Sequence, residues 1–240
     1  MKKTLPLETT SMFMRTKMRA TSLLAFALLA SCGGDGDGGA PDPAELVASS
    51  ADRMSEVNSF AFLLEHENGT TMIVGGLAME RAEGEIANGE RLRADVMGRT
   101  GPLAVNLQLI IVPEGAWMTN PLTGAWTPQA LSISEFFDPA TGVTAVIRGI
   151  GTPTLTGTEV VGGVETHIVD GSLDSGALAL LIPGVPAGRP LTARTWIGSE
   201  DPVVHRIEIR GTLADGDDST VVRRLTLSQF GATFEITAPL

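Results

Sequence analysis

Apolar and polar residues alternate through most of the chain beyond residue 60, and this alternation predicts a β-sheet. Positions 103, 105, 107, 109 and 111 are all filled by Leu, Val or Ile, whereas Asn106 and Gln108 occupy positions between them. Around Val203 the same period recurs, with Arg206 and Glu208 between apolar residues. Successive side chains of a strand point to opposite faces. A large antiparallel sheet with one dry and one solvated face is therefore expected.

Turn residues divide this region into separate strands. Asn68-Gly69 lies between residues 60–64 and 70–77, and this dipeptide predicts a β-hairpin made of those two segments. The other predicted strands cover residues 92–97, 103–112, 116–119, 154–161, 164–173, 191–197, 203–213, 220–229 and 232–237.

Three helices are predicted to cover the dry face of the sheet. Asp42 precedes Pro43 and an amphipathic run that extends to Val57, which is typical of a capped helix. Asp138 is predicted to open a second helix that reaches Ile150, and Asp174 a third that contains Leu178, Leu181 and Ile182. These elements predict an α+β fold in a single domain, with a strongly curved antiparallel sheet, or half-barrel, and helices on its concave face.

The N-terminal segment, residues 1–31, has the pattern of a signal peptide. Basic residues precede an apolar run over residues 20–30, which is shorter than the roughly 20 residues needed to span a bilayer. The run ends in Leu-Ala-Ser-Cys, the pattern of a bacterial lipobox, and Cys32 is the only cysteine of the chain. Cys32 is therefore expected to carry diacylglycerol and a further acyl chain such as palmitate. A soluble secreted protein with a chance cysteine is the alternative.

Composition and charge constrain how the exported chain meets a membrane. Residues 32–43 contain alternating glycine and aspartate and are expected to form a flexible tether, followed by one domain over residues 44–240. The formal net charge is −11, and it becomes about −15 when residues 1–31, with five basic residues and one acidic residue, are removed. This charge disfavours nucleic acids and anionic lipid surfaces as partners. The expected location is the extracytoplasmic side of the cell membrane, through a covalent anchor.

No motif for catalysis or metal binding is complete in this sequence. The segment 171–176 lacks the spacing of a nucleophile elbow, and His66-Glu67 lacks the second histidine of a zinc-binding helix. The acidic residues 215–218 lack the ligand pattern of a calcium loop. We therefore expect a protein that is not an enzyme, with no catalytic residues, no metal and no cofactor.

Two histidines are assigned to faces of the sheet by alternation. His205 shares the apolar face with Ile207 and Ile209, where it is either a hydrogen-bonded interior histidine or a contact for a ligand headgroup. His167 is expected on the solvated face, together with Glu165.

Several short motifs occur in an order that points to a known family. They are AWT at 125–127, FDPATGV at 137–143, GGVETH at 162–167, ALALLIPG at 177–184, TWI at 195–197 and LSQF at 227–230. In their order, from Cys32 to Leu240, the chain resembles the LppX/LprAFG family of mycobacterial-type lipoproteins. The resemblance implies a half-barrel similar to periplasmic lipoprotein carriers, with a hydrophobic cavity between sheet and helices.

The same resemblance implies a function in lipid binding and lipid transport. The ligand would be an acylated lipid or glycolipid, carried or presented in the cell envelope by a monomer, with an envelope transporter left open as a partner. A ligand-free structural or interaction module at the cell surface is the alternative. The expected lining residues are Phe60, Phe62, Leu64, Leu107, Leu109, Ile111, Val143, Val146, Ile147, Leu178, Leu181 and Ile182.

Overall fold

The computed structural model of the protein describes residues 39–73, 76–135, 142–179, 181–182 and 184–239. The chain divides into two compact units, Met1–Gly39 and Ala40–Leu240, and the fold below is that of the second. Cys32, the predicted signal peptide and most of the predicted tether lie outside the described residues.

Twelve strands and two α-helices make up the described part of the second unit. The helices are α1 (Pro43–Ser55) and α2 (Val143–Arg148), and short 3₁₀ turns occur at Ile133–Glu135 and Ser175–Leu178. The strands are β1 (Phe60–Glu67), β2 (Thr71–Ile73), β3 (Leu77–Ala87), β4 (Arg91–Thr100), β5 (Leu103–Val112), β6 (Gly115–Thr119), β7 (Trp126–Gln129), β8 (Gly151–Val161), β9 (Val164–Asp174), β10 (Pro190–Gly198), β11 (Val204–Arg210) and β12 (Val222–Ser228).

These strands form one open antiparallel sheet in the order β7-β6-β5-β4-β3-β1-β12-β11-β10-β9-β8, with β2 paired to β3. The first and last strands meet in the middle, where Phe62 pairs with Leu227. Because β7 and β8 lie at opposite edges, the connection between them must pass from one edge to the other, and α2 belongs to this connection. The predicted α+β class with an antiparallel sheet and few helices is confirmed.

Helix α1 forms where the capping pattern predicted it. The Asp42 carboxylate accepts hydrogen bonds from the backbone N–H groups of Ala44 (2.8 Å) and Glu45 (3.2 Å), which lack partners within the helix. Pro43 occupies the first turn. The helix buries one stripe, made of Val47, Ser50, Ala51 and Met54.

The other two predicted helices differ from expectation. Helix α2 begins at Val143 with Gly142 at its N-cap position and no side-chain cap, and the predicted cap Asp138 lies outside the described residues. In place of the third predicted helix, only the 3₁₀ turn Ser175–Leu178 forms. Asp174 does cap it, accepting a hydrogen bond from the Gly176 N–H at 2.7 Å.

The predicted hairpin across Asn68-Gly69 is wrong in its pairing. Strands β1 and β2 do not pair with each other, and both pair with β3. Asn68 has a φ of 59°, and a Cβ on Gly69 would clash with the side chain of Val221. The dipeptide therefore bends the chain between two strands that follow the same partner, because β3 is long enough to pair with both.

Two strands were missed, and one predicted strand is absent. In β3 the inward positions include Ala82 and Gly84, so the alternation lacks bulky apolar residues, and β7 has only four residues. The segment 232–237 forms no strand. Instead, Ile236 is buried against Ala87 and Val112.

Candidate functional site

The six predicted lining residues on strands share one face of the sheet. On β1, Phe60 and Phe62 pair with Ile86 and Gly84 of β3, and Leu64 follows in the same alternation. On β5 the three predicted residues are 9%, 7% and 3% exposed, in chain order, whereas their neighbours Asn106 and Gln108 are exposed. The members are Phe60, Phe62, Leu64, Leu107, Leu109 and Ile111.

The six predicted residues near the helices reach the same apolar interior. On α2, Val146 is 2% and Ile147 is 0% exposed, and Val143 is half-buried against them. Leu178 ends the 3₁₀ turn and is buried, whereas Leu181 and Ile182, after that turn, are half-buried. The structure therefore brings all twelve predicted residues into one hydrophobic cluster between the sheet and the helices.

Sequence reasoning did not assign to the site the members of this cluster on α1 and on strands β9–β12. Among its most deeply buried side chains are Met54 on α1, Val169 on β9, Ile197 on β10, Val204 on β11 and Leu227 on β12. The signal was present, because each of these strand residues belongs to a segment with alternating apolar positions. The face that each of them occupies follows from the pairing of β8–β12, which local alternation does not define.

His205 lies on the helix-covered face, as alternation predicts. His205 is 9% exposed, and its ring contacts the ring of Phe230 edge-on, with 5.3 Å between the ring centroids. Burial lowers the pKa of His205, and the nearby charge of Asp201 opposes that shift only in part. The neutral imidazole is thus the favoured form in the folded protein.

His167 is not the surface residue that the sequence predicted. It pairs across the sheet with Ile197, a fully buried residue, and it alternates with Val169, which is also fully buried. Its Nδ1 atom is buried and has no hydrogen-bond partner among the described residues. Thr166, on the opposite face, is also buried, so neither face of β9 is fully exposed to solvent at residues 166 and 167.

The face away from the helices carries opposite charges that alternate across six neighbouring strands. In the order of the strands they are Asp170, Arg194, Glu208, Arg224, Glu65 and Arg81. Arg194 binds Asp170 through two hydrogen bonds of 2.6 and 2.7 Å, and Arg224 donates to Glu208 at 2.8 Å. This ionic ladder pairs its charges internally and supports the strand register.

Glu208 shows how closely the charges of the ionic ladder are matched. It is only 5% exposed, and burial acts to raise its pKa. Hydrogen bonds from Arg224 and Arg210 outweigh that effect, so the pKa of Glu208 lies below its ordinary value. The carboxylate is therefore ionised and occupied by arginine partners.

Two pockets on the described surface lie away from the twelve residues. One, of about 420 Å³, is lined by Arg93, Ile110, Trp126 and residues 235–239. The other, of about 190 Å³, is lined by Met97 and by charged and polar residues of β3, β4 and β5. Neither is lined by a member of the twelve, whose side chains pack against each other, so the cavity stays a prediction.

Neither a metal site nor a membrane-spanning helix occurs among the described residues. No group of three or more His, Cys, Asp or Glu side chains among them is arranged to hold a metal ion. Within the same ranges, no helix combines the length and apolar character needed to cross a bilayer.

Comparison with known proteins places this arrangement in a family. The family model described as LppX_LprAFG lipoprotein matches residues 42–236, which is nearly the whole described fold. A proposed phthiocerol dimycocerosate transporter named LppX, from Mycobacterium tuberculosis, is 36% identical over 70 residues. That alignment spans 29% of this chain and 29% of the relative, so it covers well under two thirds of the relative's length.

Two solved structures share the fold. The crystal structure of LprF from Mycobacterium bovis superposes with a TM-score of 0.67 and 17% identity, over 84% of this chain and 99% of that chain. The crystal structure of the lipoprotein LppX from Mycobacterium tuberculosis has a TM-score of 0.58 and 20% identity, over 82% of this chain and 100% of that chain. At these identities the likeness concerns the fold alone.

Proposed function

The chain belongs to the LppX/LprAFG lipoprotein family, and from this premise we propose that it is a membrane-anchored protein that binds an acylated lipid or glycolipid. The acyl chains would lie between the helices and the sheet, and the polar head would stay outside. One observation carries this proposal: all twelve residues expected to line the site belong to a single apolar cluster at that place. The proposed activity is binding and carriage without covalent chemistry.

Apolar burial supplies the driving force for this binding. Removing acyl surface from water contributes about 0.8 kcal/mol per buried methylene, so a few chains suffice for tight capture. Release would then require a membrane or a partner protein that offers the chains an equally apolar environment. This requirement fits a protein that carries lipid between surfaces or presents it in the cell envelope.

Space for acyl chains would open when the helices separate from the sheet. Helix α1 is linked to α2 by Arg148 and Asp52, at 3.0 Å, with side chains that are 49% and 76% exposed. A second ion pair links Arg53 of α1 to Asp201, after β10, at 2.8 Å. Exposed ion pairs are worth only about 0–1 kcal/mol. Loss of the Arg53–Asp201 pair, which joins α1 to the sheet, would therefore add little to the cost of opening.

The anchor and the domain limits form part of the same proposal. Residues 1–31 would be removed as a signal peptide, Cys32 would carry the lipid anchor, and residues 32–43 would tether the lipid-binding domain of residues 44–240. The domain would face the extracytoplasmic side of the cell membrane as a monomer, with an envelope transporter as a partner. Membership of a lipoprotein family supports this arrangement.

Native mass spectrometry of the full-length protein, extracted in a mild detergent, tests the proposal. We expect a second mass series, above that of the anchored chain, whose difference identifies a non-covalent lipid. A ligand-free structural or interaction module would give the anchored chain alone. The burial of Val146 and Ile147 is compatible with both functions. The absence of bound lipid after gentle extraction would overturn the proposed function.

A further inference from the structure

Two hydroxyl groups are buried in the apolar interior without a hydrogen-bond partner. Ser50 on α1 and Thr195 on β10 are both 0% exposed, and neither hydroxyl oxygen meets a partner among the described residues. Leaving a buried hydroxyl unpaired is unfavourable, and in folded proteins such groups nearly always bond to protein, water or ligand. These two hydroxyls are therefore free to donate hydrogen bonds to a ligand that enters this part of the interior.

The contacts of α1 place Ser50 and Thr195 in the same region. The backbone N–H of Val204 donates to the Met54 sulfur at 3.4 Å, and Val204 pairs with Ile197 of β10. Ser50 lies one helical turn before Met54, and Thr195 lies two residues before Ile197 on the same face. Both α1 and β10 run toward the turn that contains Asp201. Ser50 is therefore displaced from Met54 in the same direction as Thr195 is displaced from Ile197, and each displacement is about 6 to 7 Å.

A third polar atom lies next to this pair. Thr195 pairs with Val169 of β9, and His167 pairs with Ile197, so Thr195 and His167 are diagonal neighbours on the helix-covered face. Diagonal neighbours have Cβ atoms within about 7 to 8 Å. The unpartnered Nδ1 of His167 therefore lies near the two hydroxyls, although it can act as donor or acceptor according to the tautomer.

The surroundings of the two hydroxyls select an uncharged ligand group. Ala51, Val169 and Ile197 are each 0% exposed and offer no charge. The charged residues of α1 that face its neighbours, Asp52 and Arg53, are engaged in ion pairs with Arg148 and Asp201. A charged headgroup would be left unpaired here, at a high cost in solvation. A neutral acceptor oxygen, by contrast, would satisfy a hydroxyl donor.

We propose that the hydroxyls of Ser50 and Thr195 donate hydrogen bonds to the ester carbonyl oxygens of an acylated lipid held beneath α1. This inference rests on the proposed function, and it adds that the site recognises acyl esters, where the chains join the polar part of the lipid. A site built only for hydrocarbon would have no use for these donors. Ester lipids should therefore bind better than ether lipids that have the same chains and headgroup.

The test compares two probes on the full-length protein in detergent. They are dioleoyl phosphatidylcholine and the diether lipid with matching chains and the same headgroup, measured by competition for the protein. We expect the wild-type protein to prefer the ester by about tenfold. Ser50→Ala or Thr195→Val should each lower that preference about threefold, which is within the range of one neutral hydrogen bond, and should leave ether affinity unchanged.

Matched variants separate the loss of a hydroxyl from other effects. Thr195→Ser keeps the hydroxyl and removes the methyl group, and it should keep the preference, which would show that a change of side chain at this position is not enough to lower it. Ser49→Ala removes a neighbouring exposed hydroxyl that bonds to the Leu46 carbonyl at 3.1 Å, and it should change neither affinity. An increase in ether affinity in Thr195→Val would mean that the hydroxyl only obstructs the site, which would overturn the inference.

The outcomes distinguish this inference from the proposed function. If both lipids bind the wild-type protein equally well, the acyl-ester inference is overturned and the proposed function stands. If ester preference survives in the variant that combines Ser50→Ala with Thr195→Val, the hydroxyls bind water instead of ligand, and the inference is again overturned. If neither lipid binds, the proposed function itself fails for lipids of this class, and the inference fails with it.

Discussion

Arg223 is a buried cation that bonds to the β11–β12 loop and to β2. Its side chain is 5% exposed and binds the Asp217 carboxylate at 2.8 Å, and Asp217 is itself 19% exposed. Arg223 also donates to the Thr71 hydroxyl at 3.0 Å and to the Gly211 carbonyl oxygen at 2.9 Å. A charge that has lost its hydration depends on such partners.

Asp217→Ala should be strongly destabilising, because it leaves Arg223 buried without its counter-charge. We expect the free energy of unfolding, measured in urea, to fall by about 3 to 5 kcal/mol. Asp215→Ala is the control, because Asp215 also binds an arginine, Arg189 at 2.6 Å, but its side chain is 98% exposed. Equal stability of the two variants would contradict the role assigned to Asp217.

Two partly buried histidines predict a loss of stability in mild acid. Burial lowers the pKa of both His66 and His205 from 6.5. Below pH 6.5 the unfolded chain binds protons that the folded protein still excludes, so the free energy of unfolding must fall until the folded pKa values are reached. Thermal unfolding followed from about pH 8 to about pH 5 should show this decline.

His205→Phe isolates one of the two histidine contributions. It keeps an aromatic ring beside Phe230 and removes the titrating group, so the decline should become shallower and His66 should account for the remainder. A pH profile identical to that of the wild-type protein would show that His205 does not contribute.

Cys32 is the residue on which the proposed anchor depends. Cys32→Ser should leave the protein unprocessed or soluble, because serine cannot form the thioether that links the chain to diacylglycerol. Cell fractionation and the mass of the mature N-terminus measure this outcome. Normal membrane retention of the variant would contradict the lipobox assignment.

At the scale of elements, α2 gives the most direct test of the site between helices and sheet. Val146 is 2% exposed and points into the apolar cluster. If acyl chains occupy that space, the indole of Val146→Trp should take the place of part of the ligand. The variant should then retain less lipid, while the lipid-free domain stays nearly as stable as the wild-type domain.

The alternative outcome for Val146→Trp is equally specific. In a permanently close-packed core, the added volume should cost about 1 to 3 kcal/mol or more. Val160→Trp adds the same volume at a position on β8 that is 65% exposed, and it should alter neither stability nor bound lipid. Marked destabilisation of Val146→Trp with unchanged lipid would contradict the proposed site.

At the scale of the whole molecule, the domain is expected to fold without its N-terminal segment. The apolar clusters of the described residues extend from Leu46 to Ala238, and the only cysteine of the chain lies at position 32, so the domain has no disulfide to lose. A chain that starts after residue 32 should therefore give a circular dichroism spectrum rich in β-structure and a cooperative thermal transition. Aggregation or a disordered spectrum would contradict this prediction.

Local patterns of residues were sufficient for much of the architecture. Helix α1 was predicted because its cap, first-turn proline and apolar stripe are all encoded within a few neighbouring residues. Strand β5 was predicted with its observed bounds because its apolar positions alternate without interruption from 105 to 111. The order of the short motifs between residues 125 and 230 indicated the family. The twelve predicted lining residues share one cluster because alternation reports which side chains share a face.

Long-range pairing decided the features that local patterns could not show. The contact of β1 with β12, the partner of β2 and the face of His167 all depend on strands that are distant in sequence. The Arg223–Asp217 pair and the unpartnered hydroxyls of Ser50 and Thr195 became visible only when α1 and β8–β12 were placed together. Alternation defines two faces of a strand, but only packing determines which face is dry, because burial depends on what covers it.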